Sequence, residues 1–391
     1  MGLQEFTLFF QSAAVYLLSA FLLFTLGRHA SNREKGLQKT SEYRHLPFYC
    51  WENCVSMLVV GLLMGLRYNT GSDFAMYLRE FLRIQEGGSF TRADFEPLFR
   101  GITWLFAKSG LHYSVYFGFF GVLQMGLLCL GLNRRKNLMP WVGIFLILGP
   151  YAVGWFSFMR QWTVSFLFVA IIPLIEKRRF ILYALFVLIG MTFHRSAWIL
   201  IIFYFVPHTF VTNKSLKTLL IIFSACVLLG LFPFWLRLLK YVSEVIEWMG
   251  YGKYEYVLTP LSNGKFVFRH WGPLHIITIF TELAAICYYP KIKEFYKNDN
   301  FLPICFSIMF IGVCYENLFM NTLYFMLRPC EYIYIFVIII IAYISNFLHV
   351  TTKKTQLAIL VCISCSYVML SVLKSLILHS SCTKMVYNFF F

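Results

Sequence analysis

The stretch FILYALFVLIGMTFHRSAWILIIF, residues 180–203, decides how the chain is organised. It is apolar except at His194 and Arg195, and basic clusters lie on both sides, at Lys177 to Arg179 and at Lys214 and Lys217. Because Lys and Arg mark cytoplasmic loops, both ends of the stretch belong on the same side of a membrane. Each arm is shorter than the about 20 residues that a membrane helix needs. The pattern therefore predicts a hairpin with His194 and Arg195 at its outer apex. One long tilted helix through 180–206 is the alternative, but it would put the two basic clusters on opposite sides of the membrane. We call the requirement that all basic clusters share one side charge parity.

The composition supports a membrane protein. The chain has 391 residues, of which 59% are hydrophobic and 13% are charged, whereas soluble domains have about 25% charged residues. The net charge of +16 comes from small basic groups between apolar segments rather than from one patch. We therefore interpret these basic groups as signals of membrane topology, and we expect no binding to nucleic acid. The partners expected instead include membrane lipids.

Apolar segments recur along the whole length and predict an all-α polytopic membrane protein with about twelve transmembrane helices, some of them short or re-entrant. The predicted spans are 7–27, 47–66, 112–132, 138–157, 161–175, 180–193, 196–211, 217–236, 273–289, 301–317, 330–348 and 357–373. The first span is expected to be retained, with no cleavable leader. Charge parity puts both termini outside and makes residues 1–391 a single transmembrane domain. Two polar, aromatic-rich segments, 67–111 with amphipathic helices and 237–272, are expected to be external.

Five arginines map to the external ends of predicted spans, where charge sidedness disfavours a cation. They are Arg67, Arg160, Arg195, Arg269 and Arg328. Ionisable residues at membrane depth are costly and tend to mark function, although each arginine alone could be an interfacial anchor. Arginine matches the geometry of phosphate. The set therefore indicates a multiply charged anion, either a lipid phosphate or pyrophosphate head group or a transported soluble anion.

Three titratable residues lie in the same predicted external regions as these arginines. Asp73 follows a turn predicted at 69–71, Glu96 precedes Pro97 at a predicted helix start, and His194 titrates near neutrality. Each could act as a general base or could hold an arginine or a phosphate. We rank them as bases in the order Glu96, His194, Asp73, since Asp73 is also placed to orient Arg67.

Cofactor signals are missing from the sequence. There is no phosphate-binding loop, no dinucleotide fingerprint and no H-E-x-x-H pattern. Cys362 and Cys365 stand three residues apart, but they lie in an apolar run without nearby histidine ligands. We therefore expect no cofactor and no metal. The eleven cysteines are scattered through apolar segments, and we expect no disulfide framework.

Five short motifs occur in an order that resembles the EpsG/Wzy family of bacterial polysaccharide polymerases, which includes the O-antigen polymerases. They are LRYNTGSDFAMY at 66–77, FEPLF at 95–99, MRQWTVSFLFVA at 159–170, FHRSAWIL at 193–200 and LRPCEY at 327–332. By motif, the matching positions are Arg67, Asp73, Tyr77, Glu96, Arg160, Gln161 and His194, and Arg328 matches more loosely. Arg195 occupies a variable position, and Arg269 lies in a segment without a family motif.

The resemblance implies a metal-independent glycosyltransferase related to the multi-span GT-C enzymes, in the bacterial inner membrane. Its donor and acceptor would be oligosaccharide repeat units on undecaprenyl pyrophosphate, joined at the periplasmic face into O-antigen or a related surface polysaccharide. A chain-length regulator protein is a candidate partner. Two alternatives stay open: an O-antigen ligase-type glycan transferase, and a transporter or flippase of a lipid-linked glycan.

Overall fold

The computed structural model describes residues 3–40, 45–92, 95–232, 272–320, 324–378 and 385–391. Most of the predicted external segment 237–272, including Arg269, lies outside the described residues. The α-helices are α1 (Leu3–Thr40), α2 (Trp51–Gly65), α3 (Phe74–Gln85), α4 (Pro97–Lys108), α5 (Tyr113–Gly131), α6 (Met139–Leu148), α7 (Ala152–Ser157), α8 (Met159–Glu176), α9 (Phe180–Phe193), α10 (Ile202–Phe205), α11 (Thr209–Thr212), α12 (Leu216–Gly230), α13 (Pro273–Phe295), α14 (Phe301–Leu318), α15 (Tyr334–Val350) and α16 (Lys354–Ile377). Short 3₁₀ helices span Lys136–Leu138, Arg195–Ile201 and Tyr324–Tyr332, and two strands, β1 (Arg67–Tyr68) and β2 (Asn388–Phe389), complete the fold.

The predicted all-α membrane class is confirmed. Within the described part of the chain, five helices are long and apolar enough to cross a membrane: α1, α5, α8, α14 and α16. Shorter apolar helices fill the positions between them, and each predicted span overlaps at least one described helix. Local sequence limits the length of the helices: α6 ends before Gly149 and Pro150, α8 ends at the basic turn that begins with Lys177, and α9 ends before His194. The number of crossings and the GT-C relationship stay predictions.

Two separate groups of polar contacts mark the two ends of the helix bundle. At one end, called the Arg135 end, Arg135 donates to Asp299 through Nη2 at 2.5 Å and through Nε at 3.0–3.1 Å. Glu176 accepts from the same guanidinium at 3.3 Å, and Tyr343 donates to Asp299 at 2.5 Å. These residues join the turns that carry the predicted cytoplasmic basic clusters. Their convergence supports the alternating, up-and-down order of the helices.

The opposite end is called the Arg67 end. It brings together helix ends that the sequence predicts to be external. Here β1 pairs antiparallel with β2, with Arg67 opposite Phe389 and Tyr68 opposite Asn388. Gln11 of α1 donates to the carbonyl of Tyr387 at 2.9 Å. The beginning of α1 and the last residues of the chain therefore lie on the same face as Arg67, which the charge parity requires.

The hairpin at residues 180–203 is confirmed. Helix α9 ends at Phe193, and His194 adopts an extended backbone with φ −154° and ψ 116°. The chain then returns along α9, so that the Tyr183 hydroxyl donates to the Leu200 carbonyl at 2.5 Å and the rings of Tyr183 and Tyr204 lie 5.4 Å apart. A single tilted helix is wrong because the backbone reverses at His194.

Candidate functional site

The site is built around a buried ion pair at the Arg67 end. Nη1 of Arg160 donates to Oε2 of Glu96 at 2.5 Å, and both side chains are close to nine-tenths buried. The second carboxylate oxygen, Oε1, accepts from the backbone N–H of Arg195 at 2.9 Å. Glu96 thus connects the first turn of α8 with the apex of the hairpin, and both of its oxygens are occupied.

Local sequence explains how Glu96 reaches across. Helix α4 begins at Pro97, where the sequence predicts a helix start, and Glu96 precedes it with an extended backbone. The Glu96 side chain makes no capping bond to its own helix, so it is available to bridge to Arg160. Phe158 has a non-helical backbone conformation, which separates α7 from α8. Gln124 of α5 fixes the start of α8 by donating to the Met159 carbonyl at 3.1 Å.

Aromatic rings cover the Arg160 guanidinium. Its Cζ lies 4.6 Å from the Phe95 ring and 5.5 Å from the Phe99 ring. The Tyr77 ring packs against Phe99 at 5.5 Å, and its hydroxyl is hydrogen-bonded to Arg160. Cation–π contacts of this kind strengthen when they are removed from water. The motif positions Tyr77, Glu96 and Arg160 are therefore brought together by the fold.

Asp73 lies beside this cluster at the start of α3. The predicted turn before it is present, with φ +52° at Asn69 and φ +89° at Gly71. Burial raises the pKa of the Asp73 carboxyl, whereas the Ser72 hydroxyl and the charges of Arg160, Arg328 and Arg92 act in the opposite direction. Asp73 accepts from Ser72 at 3.2 Å. Its electrostatic neighbours are Arg160, Arg328 and Arg92, and no hydrogen bond or ion pair joins it to Arg67 within the described ranges.

His194 belongs to a compact group of three polar side chains at the hairpin apex. Its Nδ1 lies 2.6 Å from the Tyr332 hydroxyl and 2.9 Å from the Ser196 hydroxyl. The two hydroxyl groups are 2.8 Å apart. Tyr332 is buried and His194 is half-buried. The ring of His194 is thus held in place from one side by two hydroxyls, each of which could be the donor.

Arg67 is buried, unlike Arg195 and Arg328, two other arginines of the predicted set. It is 1% exposed, donates to the Phe156 carbonyl at 2.6 Å, and lies 5.3–5.6 Å from the rings of Phe74, Phe117 and Phe156. Burial lowers the pKa of Arg67 to about 10, so the side chain stays cationic at neutral pH. These contacts indicate that Arg67, on β1, joins α3, α5 and α7, away from solvent.

The remaining predicted residues have different surroundings. Arg195 is exposed, and its backbone N–H donates to Glu96. Arg328 is half-buried in the 3₁₀ helix before α15 and acts electrostatically on Asp73. Gln161 is 5% exposed, and its Nε2 has no hydrogen-bond partner among the described residues.

Several contacting residues were not singled out from the sequence. Tyr332 and Ser196 stand inside the motifs LRPCEY and FHRS, and Glu331, 8% exposed, accepts from Trp162 Nε1 at 2.9 Å. Phe95 and Phe99 frame Glu96 in FEPLF. Position within a motif was the signal that could have identified them. Their pairing with His194 and Arg160 joins residues up to 138 positions apart.

The described residues contain no group of three or more His, Cys, Asp or Glu side chains that could hold a metal ion. The polar groups that do converge are one buried arginine, one half-buried arginine, two carboxylates, an imidazole and several hydroxyls. This chemistry suits an anion with a polar, hydroxyl-bearing neighbour.

Comparison with known proteins gives one family. The EpsG family profile matches residues 52–389, which include every described motif residue and strand β2. No curated protein and no solved structure matches the chain at a significant level. Since the family profile covers most of the chain, it assigns a polysaccharide polymerase-type function. The chain is therefore a member of the EpsG family, the family of Wzy-like polysaccharide polymerases.

Proposed function

We propose that the protein polymerises oligosaccharide repeat units carried on undecaprenyl pyrophosphate, at the periplasmic face of the bacterial inner membrane. A hydroxyl of the acceptor unit attacks the anomeric carbon of the donor glycan. The bond from that carbon to the pyrophosphate oxygen breaks, and the lipid pyrophosphate leaves. The hydroxyl proton passes to a protein base. The product would be O-antigen or a related surface polysaccharide.

The arginines support this chemistry because a pyrophosphate leaving group gains negative charge as the glycosidic bond breaks. Prearranged cations stabilise such charge without reorganisation, an effect that is often the largest catalytic contribution. Arg160 is held by Glu96, Tyr77 and two aromatic rings. Arg328 also acts electrostatically on Asp73. Exposed Arg195 is placed at the edge of the same cluster for the outer phosphate or for the glycan.

The contacts of Glu96, His194 and Asp73 favour a different ranking of these residues as the general base than the sequence did. Glu96 uses both carboxylate oxygens, one on Arg160 and one on the Arg195 backbone. A base needs a free lone pair near the attacking hydroxyl, so Glu96 is better suited to position Arg160. Asp73 has one side-chain hydrogen bond within the described ranges and a raised pKa. We therefore assign Asp73 as the first candidate for the base and His194 as the second.

The observation that carries the proposal is the fixed Arg160–Glu96 junction at the hairpin apex, in a chain of this family. A general anion site would not require a guanidinium anchored simultaneously by a carboxylate, a phenol and two rings. A transferase that stabilises a departing pyrophosphate does require such a fixed cation, because misplacement by about 1 Å can cost about 100-fold in rate.

The test is reconstitution of the purified protein with undecaprenyl-pyrophosphate repeat units, followed by separation of the glycan products by length. We expect a ladder of increasing chain length. Arg160→Ala should abolish the ladder, because the leaving-group charge is no longer stabilised. Arg134→Ala is the matched control, since Arg134 is exposed next to the Arg135 end, and it should leave the ladder unchanged.

Other outcomes distinguish the alternatives. A single transfer to a different lipid or protein acceptor would favour a ligase. Movement of a labelled lipid-linked glycan across a vesicle, without a ladder, would favour a transporter or flippase. A ladder that persists in both Arg160→Ala and Asp73→Asn would show that the chemistry occurs elsewhere.

The proposed sidedness has its own test. Tyr68 is 45% exposed at the Arg67 end, and Arg134 is exposed at the other end. Tyr68→Cys and Arg134→Cys, made in a background with the native cysteines replaced, should react differently with a membrane-impermeant thiol reagent added outside intact spheroplasts. Labelling at position 68 alone supports the proposed orientation. Labelling at position 134 alone contradicts it.

A further inference from the structure

Two neighbouring helices, α12 and α14, run side by side in the same direction. Near their starts, the Ser307 hydroxyl of α14 donates to the carbonyl of His208, just before α11 and α12, at 2.9 Å. At their ends, a Cβ added to Gly230 would lie 1.9 Å from the Asn317 carbonyl oxygen. Only glycine allows this approach, so the two backbones are in direct contact at the Arg67 end.

The register set by Gly230 and Asn317 brings two cysteines opposite each other one turn deeper. Cys226 lies four residues before Gly230, and Cys314 lies three residues before Asn317. Residues three or four apart share a helix face. Both side chains are half-buried, and each thiol lies within electrostatic range of the other. The backbone register places the two cysteines together, and the proximity of their thiols agrees with it.

We propose that Cys226 and Cys314 form a disulfide that ties α12 to α14. One thiolate attacks the disulfide of an external oxidant, either a dithiol oxidoreductase or a small-molecule disulfide, and forms a mixed disulfide. The second thiolate then attacks the protein sulfur of that mixed disulfide. The two cysteines lose two protons and two electrons, and the oxidant leaves as two thiols. The sequence predicts no disulfide framework, and this proposal adds a single bond to that expectation.

The location of the pair favours oxidation. Cys226 and Cys314 lie one turn from the Arg67 end, which the proposed function assigns to the periplasmic side, and the bacterial periplasm is oxidising. A second group of cysteines provides an internal comparison. Cys129 lies within electrostatic range of Cys50, Cys54 and Lys136, at the Arg135 end. The same orientation would keep those thiols in the reducing cytoplasm.

The experiment uses the full chain in its own membranes and needs no enzymatic activity. Membranes are denatured in acid without reductant, free thiols are alkylated, disulfides are reduced, and the released thiols receive a second alkylating reagent of different mass. Peptide mass spectrometry then assigns each cysteine. We expect the second label on Cys226 and Cys314 and the first label on Cys50 and Cys129.

Substitution identifies the pairing. In Cys226→Ser, Cys314 should carry the first label, and Cys314→Ser should have the reciprocal effect. A non-reducing gel should show wild-type monomer. The first label on both cysteines of the wild-type protein would overturn the proposal, and so would a second label on Cys314 that persists in Cys226→Ser. These outcomes do not depend on polymerisation, so failure of the proposed function leaves this test intact.

Discussion

Replacing Glu96 tests how the Arg160 guanidinium is held. Glu96 is 8% exposed and accepts two hydrogen bonds, from Arg160 at 2.5 Å and from the Arg195 backbone at 2.9 Å. A hydrogen bond to a charged group contributes about 1.5–3 kcal/mol. Removing one partner of a buried ion pair costs about 3–5 kcal/mol because the other charge is left uncompensated.

We therefore expect Glu96→Ala to reduce the free energy of unfolding by about 3–5 kcal/mol. Glu96→Gln should cost about half as much, since the amide oxygen can still accept from Arg195 and only the charge is lost. The measurement is equilibrium denaturation in detergent micelles, with Glu86→Ala as the control at an exposed position in the same external segment. The control should change the free energy by no more than about 0.5 kcal/mol.

A double-mutant cycle separates the pair from its surroundings. Arg160→Met, Glu96→Gln and the double variant give a coupling energy that reports on the Arg160–Glu96 contact alone. We expect a coupling of about 1.5–3 kcal/mol. A coupling below about 0.5 kcal/mol, which is typical of an exposed ion pair, would refute the description of Glu96 as the residue that positions Arg160.

Three further substitutions follow from the site. Tyr332→Phe removes one hydroxyl from His194 and should slow polymer formation about tenfold, the equivalent of about 1.4 kcal/mol, with a shifted pH–rate profile; an unchanged rate and profile would show that Tyr332 only packs. Burial raises the pKa of Asp73, so its contribution to stability is present below the ordinary pKa and lost as pH rises through the folded value; Asp73→Asn should therefore raise the melting temperature at pH 7 while abolishing polymer formation, and a lower melting temperature would contradict the sign. Gly71→Ala should destabilise by about 2–5 kcal/mol, combining left-handed strain and overpacking, because its φ is +89° and the new Cβ would lie 2.2 Å from the Phe156 carbonyl oxygen. Gly101→Ala, which meets nothing within 4 Å on α4, is the matched control and should be neutral or stabilising by about 0.5–1 kcal/mol.

Charge parity and apolar length were sufficient to predict much of the fold. The reversal at His194, the turn at Gly71 and the helix start at Pro97 all follow from local signals that one sequence contains. The basic clusters predicted which helix ends meet, and the Arg135 network joins three of those turns. These features depend on a residue's neighbours in sequence, so periodicity and composition can detect them.

The partners of each side chain required the structure. Arg67 and Arg160 have the same local signature, an arginine beside a span, yet Arg67 is enclosed by three aromatic rings and Arg160 is paired with a carboxylate. Tyr332 contacts His194 across 138 positions of sequence. Such distinctions arise from packing between distant helices, which a single sequence does not encode in any local pattern. The burial of both Glu96 oxygens, which changes its chemical assignment, is of this kind.

The short pairing of β1 with β2 has a consequence for biogenesis. Phe389 lies 322 positions after its partner Arg67, and Tyr387 donates to the carbonyl of Leu63 at 2.8 Å. The shell around Arg67 therefore closes only after all the intervening helices have been inserted into the bilayer. A fusion tag joined directly to Phe391 would lie beside this late-closing junction, so affinity handles placed there should impair maturation more than handles inserted between α15 and α16.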